Sequence, residues 1–577
     1  MCHLKNILHI ILLLFLTNAN SKTQLQTPFE QGNGNQTASY EQIINFYHQL
    51  ATNYKSISIE TVGITDAGLP LHIVTYRPNT GFSEKENNTD LLTILINNGI
   101  HPGEPDGIDA TMMLFRDYAQ GTIKAAKNTL LVTIPVYNVG GALNRNTTTR
   151  TNQNGPESYG FRGNARNYDL NRDFIKADTH NTRAFMEIFH RVNPDVFIDN
   201  HVSNGADYQY VLTHLMTQHN KLGGELGEFL KNNFQPSVEN ELTKKGWPIT
   251  PYVNVFNRPP EKGFNQFFDN PRYSTGYTTL FNTLGMMLET HMLKPYAERV
   301  KGSYIFMHTV IRQADKSHQL IKDLRKKSFA HYQVGDQYPL QWQLSEEKFS
   351  MINFLGYESE EIISDVTGLQ RLKYHRNKPV KQQIRYQDTY VPTLSVTIPK
   401  AYLIPQGWHQ VIDLLKSNRI YMKPFNQDTV LTVETYRIQD YSTQTNVFEG
   451  HYVHDTVTLD KSTERVQFKA GDFYVPSNQK GVRYLLETLE PEATDSFFRW
   501  NFFDTILTQK EGFSPYVWED KARQLLKENP SLKQAFETKK KQDEVFSNNA
   551  YLQLQWLHQH SEQYEAAHRQ YPIYRLN

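Results

Sequence analysis

The 577-residue chain reads as an α/β protein, with a mixed central β-sheet flanked by helices, then a β-rich accessory region and a helical C-terminal segment. Three observations predict this. The stretch Leu92 to Arg116, LTILINNGIHPGEPDGIDATMMLFR, passes from an apolar, β-branched run through a Gly/Pro loop to Ile108, Met112 and Phe115 at helical spacing. Further apolar runs at Thr129–Tyr137, Asp195–Asp199 and Gly285–Leu288 alternate with helical patterns, as strands of a covered sheet do. From residue 330 the pattern changes to short alternating strands broken by Pro, Gly and Asn, and from 490 to helices.

Composition bounds the answer. Sixty Lys and Arg balance sixty Asp and Glu, so net charge does not argue for a nucleic-acid or anionic-membrane partner. Lys5, the apolar run Ile7–Leu16 and the small residues Ala19 and Ser21 match a secretory signal peptide over 1–21, so a secreted or periplasmic destination is expected. That run is short of the ~20 residues a bilayer span needs, and no other stretch is apolar enough to cross a membrane. The one cysteine, Cys2, would leave with the signal, so the mature chain is expected to hold no disulfide.

In chain order, residues 22–38 are polar and read as a flexible leader, and Tyr40–Tyr54 as an opening helix through Ile43, Ile44, Phe46 and Leu50. Strands follow at Ile57–Val62 and Leu71–Tyr76. After the central strand–loop–helix unit and Thr129–Tyr137 comes a long loop rich in Asn, Thr, Arg and Gly, a feature usually tied to function. His180–Val192 reads as a helix ending before Asn193-Pro194, and the strand after it delivers His201. Trp247, Pro248, Tyr252 and Phe256 offer aromatic surface near an entrance, Glu289 closes the apolar run Gly285–Leu288, and a helix through Val300–Arg312 ends the domain. The partition is therefore signal 1–21, leader 22–38, a main domain 39–315, a β-rich domain 330–485 interrupted by one helix, Trp408–Ser417, and a helical segment 490–577. In that last segment Asn529 is a cap with Pro530 in the first helical position.

His101 and Glu104 stand three apart in the loop after Leu92–Ile96, where Pro102, Gly103 and Pro105 restrain the backbone. An imidazole and a carboxylate are both ligands that Zn²⁺ accepts, and open α/β sheets place sites at the carboxyl ends of strands. Alone, His-x-x-Glu is weak, because a polar loop produces the same spacing.

The segment Phe161 to Phe174, FRGNARNYDLNRDF, resembles the GRxNxxxxDLNRxF region of M14 zinc carboxypeptidases, particularly their carboxypeptidase E-like branch. The resemblance covers residues 40–315. It implies that His101, Glu104 and His201 hold one Zn²⁺, that Asp169 steadies His101, and that Asn171 and Arg172 grip a terminal carboxylate. It further implies that Arg162 stabilises an oxyanion, with Arg145, Arg150 and Arg166 as nearby competitors for that role, and that Glu289 is the base. Tyr273 and Tyr277, in PRYSTGY, are the matches for a substrate-capping tyrosine. His214 is the rival ligand, and His291 a residue behind the site. A guanidinium beside an amide suits a carboxylate reader, and a ligating imidazole needs its other nitrogen held.

The activity so implied is hydrolysis of the C-terminal peptide bond through a metal-activated water, on peptides with a free C-terminal carboxylate. Two alternatives stay open at this stage. One is a zinc amidase or deacylase acting on cell-wall peptides or N-acyl amino acids, and the other is an inactive exported binding protein.

Overall fold

The computed structural model describes residues 25–78 and 91–577, so the signal-peptide segment lies outside the described residues. The first nine strands are β1 (Ile57–Ile64), β2 (Pro70–Tyr76), β3 (Leu92–Asn98), β4 (Thr129–Ile134), β5 (Val196–Ser203), β6 (Leu212–Met216), β7 (Ile249–Pro251), β8 (Phe264–Asn265) and β9 (Leu284–His291). All but β8 form one eight-stranded sheet in the order β1-β2-β4-β3-β5-β9-β6-β7. Its centre, β4-β3-β5-β9, is parallel, while β1, β2 and β6 add antiparallel pairings, so the sheet is mixed.

Strand alternation decides the two faces. Ile94, Ile96, Val196 and Ile198 point into a core shared with the helices Asp106–Gln120 and Tyr296–Lys316, and Leu95, Val132 and Phe197 into one shared with the helix His180–Val192. That last helix starts where the Thr179 side chain accepts from the Thr182 N–H and ends on Asn193 in the left-handed region, just before Pro194. Asp106–Gln120 lies so close on β5 that a Cβ at Gly107 would meet the Asn200 Cβ at 2.2 Å. Glycine there lets the helix begin directly beneath the His101 loop.

Several expectations change. The leader is packed from Leu25 onward: Thr27 and Glu30 form a capping box around Pro28–Gln31, Phe29 is buried, and Glu30 pairs with Arg116 at 2.6 Å. The β-rich region mixes short strands with four long ones of 14 to 18 residues. After β10 (Gln337–Leu344) come β11 (Ser350–Ile363) and β12 (Gln370–Gln387), a two-stranded arm of 14 and 18 residues whose base pairs with β8. Following β13 (Tyr390–Thr397), a six-stranded sheet uses β14 (Ala401–Ile404), β15 (Lys423–Pro424), β16 (Thr429–Thr443), β17 (His454–Phe468), β18 (Phe473–Pro476) and β19 (Tyr574–Leu576), in the order β15-β18-β14-β19-β16-β17. Thus the segment after 490 is not wholly helical, because β19 returns to pair with β14 and β16. Nor is the β-rich region a separate bead: Phe185, Tyr277, Tyr402, Leu415 and Trp500 belong to one buried cluster. The remaining helices, including Pro515–Glu528, Pro530–Gln542 and Ala550–Gln559, pack around Trp518, Phe536 and Leu554, and the Asn529 cap accepts from Leu532 N.

Candidate metal centre and substrate cleft

β3, β5 and β9 run parallel, so the residues at their carboxyl ends share one edge of the sheet. His201 and Glu289 are register partners on β5 and β9, and both sit within their strands, which continue to Ser203 and His291. The loop after β3 carries His101 and Glu104, closed by a Glu104 N–H to His101 carbonyl bond of 2.8 Å.

His101, Glu104 and His201 are all buried, and one donor atom of each lies within 4.8 Å of the other two. His101 Nδ1 is 3.3 Å from Glu104 Oε1, and His201 Nδ1 is 3.1 Å from Glu104 Oε2. The back of each ring faces a carboxylate. His101 Nε2 is 2.9 Å from Asp169 Oδ1, and His201 Nε2 lies 3.0 Å from Asp199 Oδ2 without hydrogen-bond alignment. Asp169 also takes the Nε and Nη2 of Arg162 at 3.0 and 2.8 Å. Two imidazole nitrogens and a carboxylate converging in a buried corner, with outer carboxylates holding the rings, fit a single divalent ion.

The electrostatics agree. Burial opposes charge on Glu104, but Arg150 and His101 beside it hold its carboxyl well below the usual range. Burial likewise opposes ionisation of Asp169, and His101, Arg162 and Arg172 overcome it. Burial pushes Glu289 the other way, upward, with Glu104 and Asp199 adding to it and His201 and Arg162 opposing. Among the described residues its buried Oε2 has no hydrogen-bond partner, an oxygen available to a proton.

A cleft of about 540 Å³ opens over this corner, and Arg162, Asn171, Arg172, Tyr273 and Glu289 line it together with the three candidate ligands. The Asn171 and Arg172 backbone is set by a short 3₁₀ turn, Leu170–Arg172, capped by the Asp169 side chain, which accepts from Asn171 N. Arg172 Nη1 donates to the Asn171 carbonyl at 2.9 Å, and the Tyr273 ring stacks 4.6 Å from its guanidinium.

Tyr277 requires correction as a capping tyrosine. It is fully buried among Phe174, Phe185, Phe189 and Phe281, and its hydroxyl donates to Asn418 at 2.7 Å. The helix Ser274–Thr279 turns it into the core, away from the cleft. His214 is paired with Glu239 at 2.7 Å, and His291 lies against Asp207 and the Tyr208 ring, so neither joins the three. Arg145 is held by the Thr37 and Ala38 carbonyls. Two further residues of the cleft escape the sequence reading of the site, and a third, Arg150, enters it only as a competitor of Arg162. Arg150 reaches Glu104 Oε1 at 2.8 Å; Asp269 is buried in the wall; Tyr252, noted only as aromatic surface, has a phenol that burial and nearby Glu289 push upward. The long loop hides Arg150 among similar arginines, whereas the run of aromatics around Tyr252 was a usable signal.

Fold and site together define a class: a mixed-sheet α/β protein with a candidate single-metal corner at the carboxyl ends of its central strands. The sequence model of the zinc carboxypeptidase family, peptidase M14, matches residues 43–209. The chain carries His101, Glu104, Asp169, Asn171, Arg172 and His201 within that matched segment. It is similar to Carboxypeptidase 2 of Trichophyton rubrum, 20% identical over 431 residues that cover 70% of this chain and 73% of the relative. Carboxypeptidase 2 of Trichophyton equinum is 21% identical over 431 residues, covering the same shares, 70% and 73%. Among solved structures, the carboxypeptidase A of Helicoverpa armigera aligns with a TM-score of 0.39 and 13% identity, over 55% of this chain and 82% of that one.

Proposed function

We propose that the chain is a zinc-dependent carboxypeptidase that removes the C-terminal residue of peptides. The observation that carries this reading is the meeting, in one cleft, of the donor set His101, Glu104 and His201 with the unpartnered Glu289 oxygen and the Asn171–Arg172 pair. Zn²⁺ held by the three ligands would polarise the scissile carbonyl and lower the pKa of water.

The chain's own residues do the rest. Arg172, with Asn171 beside it, offers donors in a planar fork that suit a terminal carboxylate and so set the cut one residue from the end. Tyr273, stacked on Arg172, keeps that guanidinium in place and stands ready to cover the terminal residue. Glu289 takes a proton from the attacking water as oxygen bonds to the carbonyl carbon, and returns it to the amine nitrogen as the C–N bond breaks. Arg162, lining the cleft and braced by Asp169, supplies positive charge where the carbonyl oxygen becomes negative. Export belongs to this reading and is supported by the apolar run Ile7–Leu16 with Ala19 and Ser21 after it. Among the described residues no helix is long and apolar enough to cross a membrane.

The test is a panel of peptides with free and amidated C termini, assayed with metal content on the same preparation. One zinc per chain and release of a single amino acid from free ends alone is the expected result. Equal cleavage of amidated peptides, or internal cuts, overturns the carboxypeptidase assignment.

A further inference from the structure

The loop joining β16 to β17 ends in a tight turn, Phe448-Glu449-Gly450-His451, closed by mutual backbone bonds of 2.8 and 3.0 Å between Phe448 and His451. Both central residues are in the left-handed region, Glu449 at φ 49° and Gly450 at φ 83°. Such turns favour Asn, Asp or Gly at the first central position, and a longer side chain with positive φ is strained. Strain of this kind persists where the surroundings impose it, often at a functional site.

The surroundings here are specific. The Glu449 carboxylate accepts the backbone N–H of Asp169 at 2.9 Å, across 280 positions of sequence. A Cβ at Gly450 would lie 3.0 Å from the Tyr168 hydroxyl, and His451 Nε2 is 2.8 Å from Asp178 Oδ2. Phe448 lies under the guanidinium of Arg272, the residue before Tyr273, and Asp495 holds that arginine at 2.7 Å. Each residue of the turn therefore meets the segment carrying Asp169, Asn171 and Arg172, or the neighbour of Tyr273.

We propose that this turn is part of the catalytic apparatus, with Glu449 as a positioning residue acting through Asp169; the proposal rests on the metal-site reading above. Asp169 contacts His101 through Oδ1 and Arg162 through Oδ2, and its Oδ1 also accepts Asn171 N. A carboxylate with three such duties works only if its backbone is fixed, and the Glu449 bond fixes it. The accessory sheet thus sets the ring of one candidate ligand and the arginine beside it. A mere contact between regions would not require a glutamate in a left-handed position, where Asn or Gly would make the tighter turn.

The full-length chain tests this with E449G and E449Q. E449G releases the backbone strain, so its Tm is expected to equal or exceed that of the parent. Its zinc affinity, read by chelator competition, is expected to fall about 10-fold, the lower end for outer partners of metal ligands. E449Q keeps an acceptor oxygen and is expected to recover affinity to within about 2-fold of the parent. Undiminished zinc affinity in E449G overturns the proposal, as does a loss of affinity that follows a fall in Tm. Should E449G not fold, E449N suits the same backbone with its acceptor one methylene short, and the same criteria apply. None of these readouts needs a substrate: a parent that binds zinc but ignores free-ended peptides would end the carboxypeptidase reading and leave this one standing.

Discussion

β5 and β12 are both strands of this chain, yet all eight residues of β5 are buried, whereas in β12 only Ile384 and Tyr386 are. On β5 the polar residues Asp199 and Asn200 are all but closed to water, and an unpartnered polar group there is costly. Each is accordingly tied to a neighbour: Asn200 Nδ2 donates to Asn98 at 2.8 Å, and Asp199 takes Asn97 Nδ2 at 3.2 Å. On β12 the residues Lys373, Lys378 and Lys381 are exposed, and their charges are solvated. A polar residue in a covered strand is a commitment, and on the open arm it is surface.

The contrast is best broken at the covered end. Glu289→Gln should lower kcat about 10³-fold to 10⁴-fold, ~4–5.5 kcal/mol, while zinc content stays at one per chain. Near-parental turnover with metal bound would show that a buried carboxylate on a covered strand is here only structural.

A smaller effect should come from the root of the arm, where the two regimes meet. Phe354 of β11 is fully buried against Tyr208, Tyr210 and Phe264. Phe354→Ala is expected to cost ~3–4 kcal/mol in a denaturant titration. If it costs under about 1 kcal/mol, the arm is not anchored by this cluster.

Next comes a buried carboxylate outside the site. Asp109, on the helix Asp106–Gln120, is pushed up to about 6, chiefly by burial, against hydrogen bonds from Tyr296 and the Ala38 N–H. Because the folded state holds this proton more tightly than the unfolded chain, the stability it contributes is full below pH ~4 and is lost as pH rises through about 6. Asp109→Asn should shrink the difference in unfolding free energy between pH 4 and pH 7 by ~2–3 kcal/mol. An unchanged profile would place the proton elsewhere.

The smallest effect belongs to the far end of the arm, where Val366 is 94% exposed. Val366→Ser should stay within about 0.5 kcal/mol of the parent. A larger loss would mean that this end of the hairpin is covered in solution.

The same contrast explains what could be read from the sequence. Tyr40–Asn53, His180–Val192 and the unit from β3 into Asp106–Gln120 were legible because caps and apolar spacing are local signals. His101, Glu104, His201 and Glu289 were legible as a set because motif order and covered strands coincide. Tyr277 was misread because its spacing from Tyr273 does not say which way the helix Ser274–Thr279 faces, and the aromatic core that claims it comes from other segments. The packed leader was missed because its polar composition outweighed Thr27-x-x-Glu30 and Phe29, and its partner Arg116 lies 86 positions away. The long arms were missed because solvated strands lack the apolar face that marks a strand. Glu449 had no local signal at all, since its partner is brought by the fold.

β19 carries a consequence for assembly. It is three residues long, lies between β14 and β16, and brings Arg575 to Glu434 across 141 positions. Closing that sheet is a long-range event of the kind that loop-closure entropy makes slow. A growing chain holds every candidate ligand and the base once Glu289 is made, while the sheet that carries the turn opposite Asp169 must wait for residues 574–576.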